Sequence, residues 1–147
     1  EKLSIREPVE IVIGNTGIVA DTKEMVVGVA ERKKSNPEKY NPLFKQAEEL
    51  AFTARKALEE FDLRKVGKLM NENNRLLREI EVSCRELDYL VNLAREHRAF
   101  GAKLTGGGGG GCMVALTPTE ELQETVAKAM EKEGFKVLRT KIGIQKT

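Results

Sequence analysis

Apolar positions divide the chain into nine segments. Val9, Ile11, Val12 and Ile13 form a short β-branched run that ends at Gly14 and predicts a strand. A polar loop follows from Asn15. Asp21 and Glu24 have the spacing of a capping box, so a helix is expected from there, carrying Met25, Val26 and Val29 inward. It should stop before Ser35-Asn36-Pro37, because a residue preceding proline disfavours helix. A second helix is expected from about Asn41-Pro42, with proline in its first turn. Leu43, Phe44, Ala47, Leu50, Ala54 and Leu58 carry its helical period to Phe61. Val66, Leu69, Met70, Asn73, Leu76, Leu77 and Ile80 predict a third helix. Ser83 with Glu86 is a second capping box and starts a fourth through Leu87, Leu90, Leu93 and Ala94, ending near His97.

Beyond His97 the period changes. Ala102–Thr105 predicts a short strand, and Cys112–Leu116 a buried one. Thr117, Pro118 and Glu120 fit the N-cap, first-turn and third positions of a last helix. That helix turns Leu122, Val126, Ala129 and Met130 inward, and Gly134 closes it. Phe135–Ile142 predicts the final strand. With the first helical block collapsed to one crossover, the order is β-α-β-β-α-β. The expected class is α+β: a ferredoxin-like split-βαβ antiparallel sheet with an added helical block, in one domain over residues 1–147.

Composition narrows the function. The 147 residues are 40% hydrophobic and 33% charged, with a net charge of only +2. A nucleic-acid-binding domain would show a basic surplus, and with no tryptophan and 5% aromatics a base-stacking surface is not expected. The apolar runs, such as Ile11–Ile13, are too short to span a membrane. Two cysteines, Cys84 and Cys112, suggest a reduced, cytoplasmic protein. The Glu1-Lys2-Leu3-Ser4 start has neither methionine nor a leader pattern, so it is expected to be a cut end of something longer.

The unusual feature is Gly106–Gly111, six glycines in a row among 13 in the chain. Backbone amides of such a run can converge on an anion, and the missing side chains let a phosphate approach. A flexible linker is the alternative, but both flanks look like strands of one domain. A Rossmann loop should open a helix, whereas a strand follows here. A Walker A loop needs Lys-Ser or Lys-Thr after its last glycine, where Cys112-Met113 stands. Lys103 and Thr105 suit a phosphate by charge and hydroxyl, but equally suit a strand edge. The loop Asn15–Lys23, between strand and helix N-terminus, is a second candidate; Asp21 there is also explained by capping alone. Cys112 heads an apolar strand and reads as a structural thiol. His97 suits the negative end of a helix.

The segment Gly101-Ala102-Lys103-Leu104-Thr105 with the glycine run and Cys112 resembles the third conserved motif of the GHMP kinases (galactokinase, homoserine kinase, mevalonate kinase and phosphomevalonate kinase). Its Lys-Leu-Thr lead-in and terminal cysteine are most similar to the mevalonate kinase branch. Asn15-Thr16 through Asp21-Thr22-Lys23 resembles the entry to that branch's C-terminal domain, and Ile142-Gly143 its closing strand. Gly107 stands where the family usually has alanine, and Ala20-Asp21 where many relatives have serine or an arginine-serine pair.

The resemblance implies the C-terminal domain of a two-domain ATP-dependent kinase. Its N-terminal, ATP-binding domain would supply a Pro-x-x-x-Gly-Leu-Gly-Ser-Ser loop, which this sequence lacks. It implies phosphoryl transfer to the 5-hydroxyl of mevalonate, in isoprenoid biosynthesis, with ATP and Mg2+ held mainly by the other domain. Lys103, Thr105, Gly106, Gly107, Gly108, Gly109 and Gly110 would support the phosphate loop. Thr16, Asp21 and Thr22 would face mevalonate. No catalytic residue and no metal ligand would lie in this chain, which alone would be inactive. Its partner would be the N-terminal kinase domain. Separately from the resemblance, apolar residues of the helical block not used in the core offer a surface for a homodimer, and the sequence leaves dimer and monomer open. Two alternatives stand: a kinase for phosphomevalonate or another small alcohol, and a non-catalytic ferredoxin-like module that captures a small anion.

Overall fold

The computed structural model describes residues 5–143. Four strands, β1 (Val9–Asn15), β2 (Gly101–Leu104), β3 (Cys112–Leu116) and β4 (Lys136–Ile142), form one sheet in the order β2-β3-β1-β4. Every pairing is antiparallel: Ile11 lies opposite both Leu116 and Thr140, and Ala102 opposite Ala115. Between β1 and β2 run α1 (Thr22–Ser35), α2 (Pro37–Glu59), α3 (Leu63–Glu79) and α4 (Arg85–Glu96); α5 (Glu120–Lys132) joins β3 to β4. This is the expected α+β, split-βαβ sheet with a helical block.

Strand alternation separates two cores. Val12, Met113, Ala115 and Leu104 face one side, where Leu87, Leu90 and Val91 of α4 and Val126 and Met130 of α5 cover them. Val9, Ile11 and Leu116 face the other side and pack with Ala57 of α2 and Val66 of α3.

The helical block is attached to the sheet through the free edge of β2. An edge strand presents unpaired amides, which need partners once buried. Here α3 supplies them from side chains. Asn71 Oδ1 accepts the Ala102 amide at 3.0 Å, and Asn74 Oδ1 accepts the Leu104 amide at 3.0 Å. Arg95 of α4 donates to Asn71 Oδ1 at 2.9 Å and to the Ala102 carbonyl at 3.1 Å. Burial, and to a lesser extent the charge of Arg78, hold the Arg95 guanidinium below its ordinary pKa. The approach is close because Gly67 and Gly101 meet backbone to backbone: a Cβ on Gly101 would lie 2.1 Å from the Gly67 carbonyl oxygen.

Several expectations need correction. The second helix starts at Pro37, not near Asn41-Pro42: Asn36 caps it by accepting the Lys39 amide at 3.3 Å, and Pro42 lies inside. One missing N–H does not stop a 23-residue helix held by packing. Val26 is 61% exposed, because α1 turns Met25 and Val29 toward the core instead. Ser83 does not cap α4. The N-cap is Cys84, without a side-chain cap bond, and Ser83 Oγ donates to Asp88 Oδ1 at 2.6 Å. Thr117 does not cap α5 either; it is buried and donates to the Glu10 carbonyl at 3.2 Å, leaving the cap to Thr119. Ala127 is buried where Ala129 was expected, and on α3 Asn74 is buried where Asn73 was expected. His97 does close α4, its Nδ1 2.9 Å from the Leu93 carbonyl oxygen.

Asn74→Leu keeps the volume but leaves the buried Leu104 amide unpartnered. Chemical denaturation should show a loss of about 1–3 kcal/mol in stability.

Candidate functional site

β1 and β3 end side by side, with Asn15 opposite Cys112. Two loops continue from this end. One runs from Asn15 to Asp21 and into α1; the other is the glycine run that joins β2 to β3. They wall a groove lined by Asn15, Ile18, Val19, Ala20, Thr22 and Thr105, by Gly106–Gly108, and by Gly110, Gly111 and Cys112.

The glycine run is ordered by backbone bonds to both sides. The Gly109 amide donates to the Val82 carbonyl at 2.7 Å, and the Gly111 amide to the Ile18 carbonyl at 2.9 Å. The Thr16 amide and hydroxyl both donate to the Gly111 carbonyl, at 2.9 and 2.8 Å. Two positions require glycine on contact grounds. At Gly108, φ is +82° and a Cβ would lie 2.0 Å from the Val82 carbonyl oxygen. At Gly110 a Cβ would lie 2.6 Å from the Ile18 carbonyl oxygen. The run is thus neither a free linker nor a complete amide cradle, since two of its amides are already committed.

The first loop is equally ordered. Asn15 Oδ1 accepts the Gly17 amide at 2.8 Å, and Thr16 Oγ1 accepts the Ile18 amide at 3.1 Å. These bonds turn Val19 outward, where it is 97% exposed at the groove. Asp21 caps α1, its Oδ1 accepting the Lys23 and Glu24 amides at 2.9 and 3.2 Å. Thr22 opens the helix against Gly107: its Cγ2 would be 3.2 Å from a Cβ built there.

The structure therefore brings together Thr22, Thr105, Gly106, Gly107, Gly108 and Gly110 from the expected set. It places the others differently. Thr16 holds the glycine run from behind. Asp21 is occupied as a cap, and Gly109 is bonded to Val82. Thr105 Oγ1 donates to the Cys112 carbonyl at 3.1 Å and closes the strand pair. Lys103 does not line the groove. Its Nζ donates to the Leu104 carbonyl at 2.9 Å, and burial lowers its pKa from the ordinary lysine value. In β2, Lys103 shares a sheet face with Val114, away from the side of Ala102 and Leu104. Asn15 and Val19 lay within the candidate loop Asn15–Lys23 but were not among its named substrate contacts, Thr16, Asp21 and Thr22. Asn15, as an Asx residue just after a strand, carried a readable signal; Val19 carried none. Among the described residues no group of three or more His, Cys, Asp or Glu side chains could hold a metal ion. No described helix is long and apolar enough to cross a membrane.

Residues 54–136 match the family model described as the C-terminal region of GHMP kinases. The chain belongs to the GHMP kinases. Among GHMP relatives, a mevalonate kinase of Thermococcus sibiricus is 40% identical over 137 residues, covering 90% of this chain and 40% of that protein. A mevalonate kinase of Pyrococcus horikoshii is 43% identical over 129 residues, covering 84% of this chain and 38% of that protein. Among solved GHMP structures, the L. major mevalonate kinase in complex with R-mevalonate superposes with a TM-score of 0.92 at 33% identity. That match covers 96% of this chain and 44% of that one. The chain thus spans about two fifths of the length of the curated relatives it matches.

Gly106→Ala and Gly108→Ala separate conformation from contact. Both glycines have positive φ, but only Gly108 abuts a neighbouring carbonyl. Gly106→Ala should lose about 1–2 kcal/mol. Gly108→Ala should lose about 1–3 kcal/mol more through overpacking. Hydrogen exchange should report faster exchange of the Gly109 amide in Gly108→Ala alone.

Proposed function

We propose that this chain is the C-terminal portion of a mevalonate kinase, which transfers the γ-phosphoryl group of ATP to the 5-hydroxyl of mevalonate. The observation that carries this reading is the ordered groove between the glycine run and the Asn15–Thr22 loop, in a chain whose relatives at 40 and 43% identity are named mevalonate kinases. The superposition on a mevalonate kinase in complex with R-mevalonate supports the acceptor. Phosphoryl transfer of this kind is mostly positioning and charge stabilisation, so one rigid wall of the site is a real contribution.

In this reading the groove is one wall and the segment outside this chain is the other. Thr22 Oγ1 and the Asn15 side chain are the polar groups that face the acceptor. The backbone at Gly106, Gly107 and Gly108 lies against the loop that holds the ATP phosphates. Thr16 and Val82 keep that backbone in place. Lys103, which the structure sets outside the groove, is a stability residue in this scheme. Mg2+, when bound to the phosphates, would neutralise charge there. The described residues offer no donor set that fits it, so no step is assigned to it on this side. Isoprenoid biosynthesis in the cytoplasm is the corresponding cellular setting.

The full-length protein assayed with ATP against mevalonate, phosphomevalonate and other small alcohols should phosphorylate mevalonate preferentially. The chain alone should show no turnover. Preference for another alcohol, or robust turnover by the chain alone, would overturn the assignment. In the full-length protein, Thr22→Val should raise KM for mevalonate about 2–10-fold, the loss of one hydrogen bond, with KM for ATP unchanged. Lys103→Met should leave both KM values unchanged.

A further inference from the structure

The cap that ends α3 is also the anchor of the glycine run. The Glu81 amide donates to the Arg78 carbonyl at 3.0 Å, and the Val82 amide to the Leu77 carbonyl at 3.2 Å. These two bonds form a Schellman motif, which ends a helix by turning one residue into the left-handed region. That residue is Glu81, at φ +65°. Glycine is the usual occupant, because it has no Cβ to strain there. The next residue, Val82, buries its side chain in the core against which Leu77 packs. Its carbonyl accepts the Gly109 amide at 2.7 Å. The turn at Glu81 therefore aims the carbonyl that holds the middle of the glycine run.

Phe61 and Arg98 take the same left-handed position after α2 and α4, so a residue other than glycine is no signal by itself. What distinguishes Glu81 is the grip on its side chain. Tyr40 of α2 is buried, and its hydroxyl donates to Glu81 Oε2 at 3.0 Å. Arg32 of α1 sets its Nε 3.3 Å from the same oxygen, and its Nη2 donates to the Ile80 carbonyl at 2.9 Å. The ion pair is the weaker tie: the Glu81 side chain is 60% exposed, and such pairs contribute little. The Tyr40 bond is the stronger, because a buried donor left without an acceptor is destabilising. A strained residue persists where its surroundings over-determine it.

We propose that Glu81 is a positioning residue for phosphoryl transfer. Its carboxylate, gripped by Tyr40 and Arg32, locks the turn that sets the Val82 carbonyl against Gly109, and so fixes the glycine-run wall of the groove. The role in transfer rests on the kinase reading above; the lock on the run does not. Glycine at this position would relieve the backbone and release the turn.

Hydrogen exchange and steady-state kinetics of the full-length protein test this together. Glu81→Gly suits the left-handed turn and removes the grip, so the fold should be kept. The Gly109 amide should exchange at least about tenfold faster, while the amides of β1 and β3 keep their rates. kcat should fall about threefold or more with KM for mevalonate unchanged, because a displaced wall loses alignment. Glu81→Gln, which keeps an acceptor for the Tyr40 hydroxyl, should bring both values back to near wild type. Tyr40→Phe should reproduce the effects of Glu81→Gly, and adding it to Glu81→Gly should change neither value further. Unchanged Gly109 exchange in Glu81→Gly, a glutamine variant no better than the glycine one, or full additivity of the two changes would each overturn the proposal. Faster exchange with kcat unchanged would overturn the role in transfer. If the wild-type protein does not phosphorylate mevalonate, the kinase reading fails, and Gly109 exchange alone decides the lock.

Discussion

The edge of β2 governs the rest of the molecule. A four-residue strand with one side unpaired leaves buried amides that must find acceptors. Asn71 and Asn74 meet that need from α3, one helical turn apart, matching the two-residue step of Ala102 and Leu104 along the strand. Arg95 locks Asn71 from α4. A helix thus takes the place of a fifth strand. Only the Gly67–Gly101 contact lets it come close enough, because any Cβ there would collide with backbone.

That docking propagates to the groove. With α3 fixed along β2, its C-terminal end and the turn at residues 80–84 reach the glycine run. Other helices hold this turn. Arg32 of α1 donates to the Ile80 carbonyl at 2.9 Å, and Tyr40 of α2 donates to Glu81 at 3.0 Å. Val82 then offers its carbonyl to Gly109. The helical block, which at first reads as an insertion beside a small sheet, is what orders one wall of the site. The other wall is ordered locally by Asn15 and Thr16, which satisfy their own loop.

Much of this was legible in the residues. Periods of two and 3.6 located all nine elements, and their order implied the sheet topology. The glycine run and the Asn15–Lys23 loop were legible as two separate candidates; that they line one groove came from the antiparallel pairing of β1 with β3. What was not legible depended on partners distant in sequence. Asn74 looks like any polar helix residue until the β2 edge is beside it. Thr117 looks like a cap until the Glu10 carbonyl is beneath it. Asn41-Pro42 carried a helix-start signal, but Asn36-Pro37 carried the same one and came first; Ser83 looks like a cap until Asp88 takes its hydroxyl. Lys103 has the charge for an anion, and strand alternation sends it to the other face.

The glycine run is held between two carbonyl oxygens, that of Val82 in the turn behind it and that of Ile18 in the loop that forms the facing wall. The separation of the walls is therefore set by a length of bare main chain. Such a spacer has no side chain to ionise, to oxidise or to change rotamer. The gauge of this groove is thus written in peptide geometry at the run itself, and side chains enter it only through the turn and the loop at its two ends.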